Sequence, residues 1–499
     1  MLDTSTANFF TSPTVGLILF IALIILTWGF YRAKSYGKMG LIAWLQSVVL
    51  MSPWLIFLSL FALGIYLNIA GLLFLIVSSI IIYIFLGRRL RKLNLEQNIT
   101  PAPVIEPEPV PETAPINEAK ILPNIIPIPE KDLKKIQGIF GIDTFFTTET
   151  ISYQEGAIFK GNLRGEAEDV HKKLGQKMQE NFGDKYRLFL VEGTDNKPVV
   201  IVLPSSDDPQ PATLVQKNLS LVLLVGTIVT SLEATGILLG FDLFNNNWGR
   251  YAETIPLSLG LWGILLAHEI GHKVVADRYK VKLSLPYFLP TWQIGSFGAI
   301  TRFESILPDR KTLFDIALAG PALGGLTSLV LLILGLILSH QGSLFQIPTN
   351  FFHGSILVGS LAKVILGDQL KQAIIDVHPL TVVGWLGLVI TALNLLPAGQ
   401  LDGGRIVQAI YGRKIARRTT IVTLTILAIV SLVNPENPVP LYWTILVAFL
   451  QRDLERPGLN ELTEPDDTRA LWGLLVLFLM LATLIPLSPG LAGRLGIGN

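Results

Sequence analysis

The segment Leu266-Ala267-His268-Glu269-Ile270-Gly271-His272 sets two histidines four residues apart, a spacing that puts both imidazoles on one helix face, within reach of a single zinc ion. Glu269, next to the first histidine, is placed to take a proton from water acidified by such a metal. The chain has no cysteine and only six histidines. Disulfide frameworks, thiolate zinc sites and cysteine nucleophiles are therefore excluded, and any metal must sit on His, Asp or Glu. A catalytic zinc needs a third protein ligand and an open position. The candidate is Asp402, in Asn394-Leu395-Leu396-Pro397-Ala398-Gly399-Gln400-Leu401-Asp402-Gly403-Gly404. Pro397 breaks the preceding helix and Gly403 and Gly404 loosen the chain beyond, so that Asp402 can turn inward. The plainer alternatives are a His–Glu pair satisfying itself inside a helix bundle and an aspartate capping the next helix.

Both motifs lie in or at the end of apolar runs. Half of the residues are hydrophobic and 15% are charged, with a mean hydropathy of +0.53, too much apolar surface for a soluble protein with so few charges. The solvent is mostly lipid, and ionisable groups within lipid-spanning segments are functional by default. Apolar runs at Thr14–Tyr31, Leu41–Tyr66, Ile69–Leu86, Leu219–Leu239, Ile255–Val275, Phe314–Ser339, Leu380–Leu396, Thr420–Val433, Leu441–Leu450 and Leu471–Leu487 predict an α-helical polytopic membrane protein with about ten transmembrane helices.

Basic residues mark the inner loops. Arg32, Lys34 and Lys38 follow the first run, Arg88, Arg89, Arg91 and Lys92 the third, and Arg278, Arg310 and Arg413 fall on the same side by parity. This predicts an N-terminus outside, as a retained anchor, and a cytoplasmic location for the segment after Leu86. His268 is ten positions before Arg278, on the order of 15 Å along a helix, and Asp402 is three before Arg405, so the two motifs meet at the same membrane end. The stretch 99–130, with PAPVIEPEPVPETAP, is a semi-rigid Pro-rich tether. Residues 131–211 read as a small α+β cytoplasmic domain: EAEDVHKKLGQKMQENFG is an amphipathic helix, and YRLFLVEG and KPVVIVLP are strands joined by a Thr-Asp-Asn turn. Gly161-Asn162-Leu163-Arg164-Gly165 before that helix predicts a tight turn. The formal net charge of +1 gives no support for nucleic-acid binding.

His268-Glu269-Ile270-Gly271-His272 with Asn394, Pro397 and Leu401-Asp402-Gly403-Gly404 resembles the site-2 protease family of intramembrane zinc metalloproteases, over roughly 219–416. Gly161-Asn162-Leu163-Arg164-Gly165 resembles a motif of its cyanobacterial and chloroplast branch, the ethylene-dependent gravitropism-deficient and yellow-green proteins. The resemblance implies that His268, His272 and Asp402 bind zinc, Glu269 is the catalytic base and Asn394 hydrogen-bonds substrate or oxyanion. It implies an endopeptidase acting on transmembrane or membrane-associated proteins near the cytoplasmic face, in a plasma or thylakoid membrane. No PDZ-like insertion or nucleotide-sensing domain is recognisable. The expected organisation is a three-helix membrane region at 1–98, the linker at 99–130, the soluble domain at 131–211, the catalytic membrane core at 212–418 and C-terminal membrane helices at 419–499.

Val281–Glu304, rich in Pro, Gly and β-branched or aromatic residues, reads as a hairpin or re-entrant loop dipping beside the site, whose edge could pair with an extended substrate; the plainer alternative is a cytoplasmic loop packing under the bundle, with Trp292, Phe297 and Arg302 as interface anchors. His171 is expected to be solvated, and His340, His353 and His378 to lie across the membrane from the motif. Glu233, inside a span, suits a water path or an internal hydrogen bond. Ala319-Gly320-Pro321 and Gly324-Gly325 suit close helix packing. The competing function classes are a non-proteolytic membrane scaffold or transporter, with no inverted repeat favouring transport, and a metal-bound but proteolytically silent adaptor that recruits through the soluble domain.

Overall fold

The computed structural model describes residues 128–497, apart from 154, 194–196, 245–246, 292–293 and 435–436, together with helical positions scattered between 27 and 89. The chain divides into two compact units, Met1–Lys120 and Ile121–Asn499. In the first, Ser79 Oγ donates to Val49 O at 2.5 Å and Gln46 Nε2 to Tyr83 O at 3.3 Å, which lays two helical stretches side by side. Most of the run Thr14–Tyr31, parts of the next two runs, nearly all of the Pro-rich stretch, the Thr-Asp-Asn turn and Trp292 lie outside the described residues.

In the second unit an α+β layer comes first. Helix α1 (Glu130–Ile139) precedes strands β1 (Phe145–Tyr153) and β2 (Gly156–Leu163), helix α2 (Ala167–Phe182), and strands β3 (Tyr186–Glu192) and β4 (Pro198–Pro204). The strands form one antiparallel sheet in the order β1-β2-β4-β3. Helix α2 turns Val170, Leu174 and Met178 inward at a four-residue spacing, onto a core with Phe145, Phe159, Leu190 and Val200. Its charges face outward, as periodicity predicts, and the two predicted strands are β3 and β4.

The glycine-bracketed motif departs from expectation. Gly161, Asn162 and Leu163 belong to β2 and pair with Thr147, Phe146 and Phe145; only Gly165, at φ 122°, makes the turn into α2. Gly161 is needed for proximity instead: a Cβ there would stand 2.2 Å from Phe146 O. Strands β1 and β2 escape a periodicity search because β1 is Thr-rich and carries a register shift between Thr147 and Glu149.

The remaining chain is mostly helical, and the protein is a multi-pass membrane protein. Its helices are α3 (Leu214–Leu238), α4 (Tyr251–Arg278), α5 (Arg310–Ile337), α6 (Ile356–Leu366), α7 (Pro379–Asn394), α8 (Asp402–Val433), α9 (Pro438–Leu446), α10 (Asp467–Leu484) and α11 (Pro489–Leu495). Among the described residues five helical segments are long and apolar enough to cross a membrane: Gln216–Leu238, Trp248–Arg278, Arg310–Ile337, Asp402–Val433 and Asp467–Leu484. Helix α5 is central and packs against α4, α7 and α8. Within α8 the backbone is non-helical at Gly412 (φ 79°, ψ 172°), which divides it into two helices, and the run Thr420–Val433 lies in the second of them.

Strands β5 (Tyr287–Thr291) and β6 (Gly295–Ile300) form the expected hairpin. It lies along α3: Ser220 Oγ donates to Pro286 O at 2.7 Å and Thr230 Oγ1 to Gly295 O at 2.6 Å. Beyond α5, β7 (Phe345–Pro348) pairs with β8 (Ile374–Val377), and the short α6 packs Val358 and Ala362 into a cluster with Leu332 and Leu336.

Candidate metal centre and active site

Two helices carry the ligand candidates and α5 holds them together. Helix α4 presents His268 and His272 one turn apart, with ring centroids 4.9 Å from each other. The chain leaves α7 at Asn394 and turns tightly through Leu395–Leu401, and Asp402 is the first residue of α8. Gly403 and Gly404 do not loosen this turn. They are helical, and a Cβ would lie 1.8 Å from Leu395 O at the first and 2.3 Å from Gly399 O at the second. They are glycines because the turn folds back onto its own carbonyls.

His268 Nε2 lies 3.1 Å from Asp402 Oδ2 and His272 Nε2 lies 3.4 Å from Asp402 Oδ1. One ligand atom from each of the three residues lies within 4.8 Å of the other two, and all three residues are buried. Donors on a tetrahedral zinc at ordinary bond lengths stand roughly 3.3 Å apart, so the set fits the ion. The hydrogen bonding fits as well. His272 Nδ1 faces the Ile316 carbonyl at 2.7 Å, and a carbonyl only accepts, so Nδ1 carries the proton. In the neutral ring Nε2 is then a lone pair turned to a carboxylate, an arrangement that a cation between them reconciles.

The glycines of α5 are part of this centre. A Cβ at Gly320 would stand 2.2 Å from His272 Nε2, and one at Gly324 would stand 2.9 Å from His268 Cβ. Their four-residue spacing matches that of the histidines on the facing helix, a correspondence present in the sequence that packing alone had accounted for.

Around the cluster, Glu269 Oε2 accepts a 2.7 Å hydrogen bond from Thr301 Oγ1, just past the end of β6. Arg405 lies 3.7 Å from Asp402 Oδ1 and is buried. Its guanidinium donates to Glu455 Oε1 at 2.9 and 2.6 Å and to Thr301 O at 2.8 Å, and it stacks 4.9 Å from the Phe303 ring. Arg405 served in the sequence only as a marker of the inner face, and Thr301 and Glu455 carried no local signal. Asn394 reaches the site through the hairpin: its amide nitrogen donates to Phe297 O at 3.2 Å and to Ile390 O at 2.9 Å. Both amide protons are thereby engaged with backbone rather than held out as an oxyanion donor.

The other histidines make local contacts. His340 Nδ1 faces Gln341 O, His353 Nε2 faces Ile497 O, and His378 Nδ1 accepts from Leu380 N at the start of α7. His171 is a correction, being half-buried with Nε2 3.4 Å from Leu188 O; burial pushes its imidazole below the ordinary value. Glu233 is buried, and Oε2 accepts from Leu243 N at 3.1 Å and Phe244 N at 3.3 Å, securing the turn after its own helix.

The profile of Peptidase family M50 matches residues 256–433, which span α4 to α8, and the profile described as the EGY3 middle domain matches residues 134–211. The chain is 38% identical to a probable chloroplastic zinc metalloprotease EGY2 of Arabidopsis thaliana, over 72% of this chain and 65% of that protein. It is 40% identical to the EGY2 protein of Oryza sativa subsp. indica, over 72% and 67% respectively. With the probable zinc metalloprotease EGY1 of Arabidopsis thaliana it shares 38% identity over 74% of each chain. The chain thus spans about two thirds of the length of the first of these relatives. No solved structure matches it. With the histidine pair, the aspartate and both matched regions in chain order, the protein belongs to peptidase family M50, the site-2 protease family, among the ethylene-dependent gravitropism-deficient and yellow-green zinc metalloprotease homologues.

Proposed function

We propose that the protein is a zinc-dependent intramembrane endopeptidase that hydrolyses peptide bonds of transmembrane or membrane-associated proteins near the face bearing the α+β domain. The observation that carries this is the convergence of His268, His272 and Asp402 from two apolar helices, with Glu269 beside them. His268, His272 and Asp402 hold the metal. Zinc, when bound, polarises the scissile carbonyl and acidifies water enough for attack near neutral pH. Glu269 takes the proton released and passes it to the leaving amine, and the Thr301 hydroxyl fixes which way its carboxylate faces. Asn394 acts through the hairpin: by gripping Phe297 O it holds β6 in place, and release of that bond frees the amide for a substrate carbonyl. The free edge of β6 accepts the unwound substrate as an added strand.

The contacts of the hairpin along α3, from Ser220 to Thr230, support its re-entry beside the site. The distribution of basic residues supports an outer N-terminus and a cytoplasmic or stromal α+β domain, and apolar runs beyond the five long helices support about ten crossings. The boundaries 1–98, 99–130, 131–211, 212–418 and 419–499 rest on the same grounds. Scaffold and transporter functions leave Glu269 and Thr301 without a role beside the cluster.

The test is cleavage of membrane proteins by the purified protein in lipid, native against Glu269→Gln, with zinc content measured on both. The substitution retains zinc and lowers cleavage by about 10²–10⁴-fold; undiminished cleavage would rule out the mechanism. Comparing membrane proteomes with and without the active protein identifies the substrates.

A further inference from the structure

A cavity of about 850 Å³ separates the outer face of β3 and β4 from the membrane core. Antiparallel sheets packed on one side ordinarily turn polar side chains to water on the other. Here the inner face is covered by α2, yet the outer face also carries Phe189, Val191, Ile201 and Leu203 into the cavity. The opposite wall includes Arg302 and Gln400. Gln400 also lines the small recess formed with His272, Asn394 and Asp402, so the two spaces are neighbours across one residue. The backbone supplies a second connection. Among the described residues strand β6 has a single partner strand, β5, and the chain continues from it through Thr301, bonded to Glu269, directly to Arg302 in the cavity wall.

We infer that this cavity binds the extended segment of the substrate polypeptide that continues past the scissile bond, outside the membrane. This rests on the endopeptidase function proposed above. A chain added along β6 arrives at Arg302 two residues beyond the strand's end and then runs between the apolar sheet face and the core. The volume lies in the range of specific ligand sites. Alternate side chains of an extended segment would meet Phe189 and Leu203. Arg302 is exposed and, among the described residues, its guanidinium makes no hydrogen bond or ion pair, whereas Arg187 and Glu455 on the same walls are paired with Asp208 and Arg405. A segment that alternates apolar residues with an acidic residue facing Arg302, and sets no acid beside the exposed Asp207 that also lines the cavity, is therefore favoured.

The experiment uses the full-length Glu269→Gln protein in nanodiscs, with photoreactive benzoylphenylalanine placed at Ile201 or, as control, at exposed Lys173 on α2. The probe is a synthetic peptide with an apolar span of about 20 residues and a Leu/Glu tail long enough, at about 3.3 Å per residue, to cross the cavity. Light is expected to crosslink the tailed peptide at Ile201 and not at Lys173, and shortening the tail to one residue abolishes the product. Arg302→Glu should weaken labelling by the Leu/Glu tail about 10-fold and restore it for a Leu/Lys tail. Equal labelling at both positions, labelling by the tail-less peptide or by lipid, or indifference to the charge exchange overturns the inference. Cleavage of the same peptide by the native protein is a separate readout. Crosslinking without cleavage keeps the cavity as a site for an extended polypeptide and removes the endopeptidase function, and with it the scissile bond; cleavage without crosslinking keeps that function and overturns the cavity assignment.

Discussion

At the scale of single residues, the proposed centre depends on the atoms that hold the candidate ligands and the candidate base as well as on those residues themselves. The Thr301 hydroxyl donates to the Glu269 carboxylate, and a base held in one orientation transfers a proton more effectively than one free to rotate. Thr301→Val should lower kcat about 10-fold with little change in KM, and Thr301→Ser should restore most of it; a loss confined to KM would show that Thr301 serves substrate binding instead. Gly320 tests the metal side. A methyl group there would stand 2.2 Å from His272 Nε2, and the facing helix backbone cannot yield that distance. Gly320→Ala should abolish zinc retention while the protein still inserts in membranes, and a full zinc complement in that variant would contradict the packing described.

At the scale of elements, α2 and the sheet tie one histidine to the stability of the α+β layer. His171 faces the β3 backbone at Leu188, and burial holds its folded-state imidazole below the ordinary value. The unfolded chain therefore binds the proton first as pH falls below about 6.5. Stability of this layer is full above that value and declines as pH drops from it toward the depressed folded value. Amide protection factors across α2 and β3, taken relative to the intrinsic exchange rate at each pH, should fall (an acceleration relative to that rate) as pH drops through that window in the native protein. In His171→Gln the acceleration should be absent, and an identical profile for both would remove His171 as the cause. The glycines of this layer make the same point about local reading: Gly161 sits in a strand because Phe146 O is too close for a side chain, and the residues flanking it in sequence carry no sign of this.

Across the Ile121–Asn499 unit, one segment joins the helix that begins at Asp402 to the sheet. Glu455 accepts from Arg405, which lies beside Asp402. Further along the same segment, Glu461 N donates to Leu190 O, and Leu190 N donates to Leu459 O, which adds this segment to the edge of β3. It also covers an edge that would otherwise be free to pair with another chain. Because Arg405 and Glu455 are both buried, removing the Glu455 charge leaves Arg405 with only the 3.7 Å contact to the Asp402 carboxylate, at a cost of about 1–3 kcal/mol. Glu455→Gln should lower thermal stability accordingly and weaken zinc affinity by about 10–100-fold through the loosened Asp402. Zinc titration of the purified variant against the native protein checks this, and unchanged affinity would uncouple the segment from the site.

The sequence by itself determined the lipid-facing composition, the long apolar helices and the α+β region, and it singled out three ligand candidates and a candidate base. Each of these is carried by local periodicity or by residue types too costly to bury without purpose. Only the tertiary structure decided what surrounds them. Gly320 and Gly324 became the surface against which the histidines pack, Asn394 became a clasp on the hairpin, Arg405 became the partner of Glu455 and Thr301, and β3 acquired a bridge to the segment beyond α9. These contacts join residues far apart in the chain and are set by how helices and strands fill space against one another; one chain's local pattern does not encode which distant surfaces will meet.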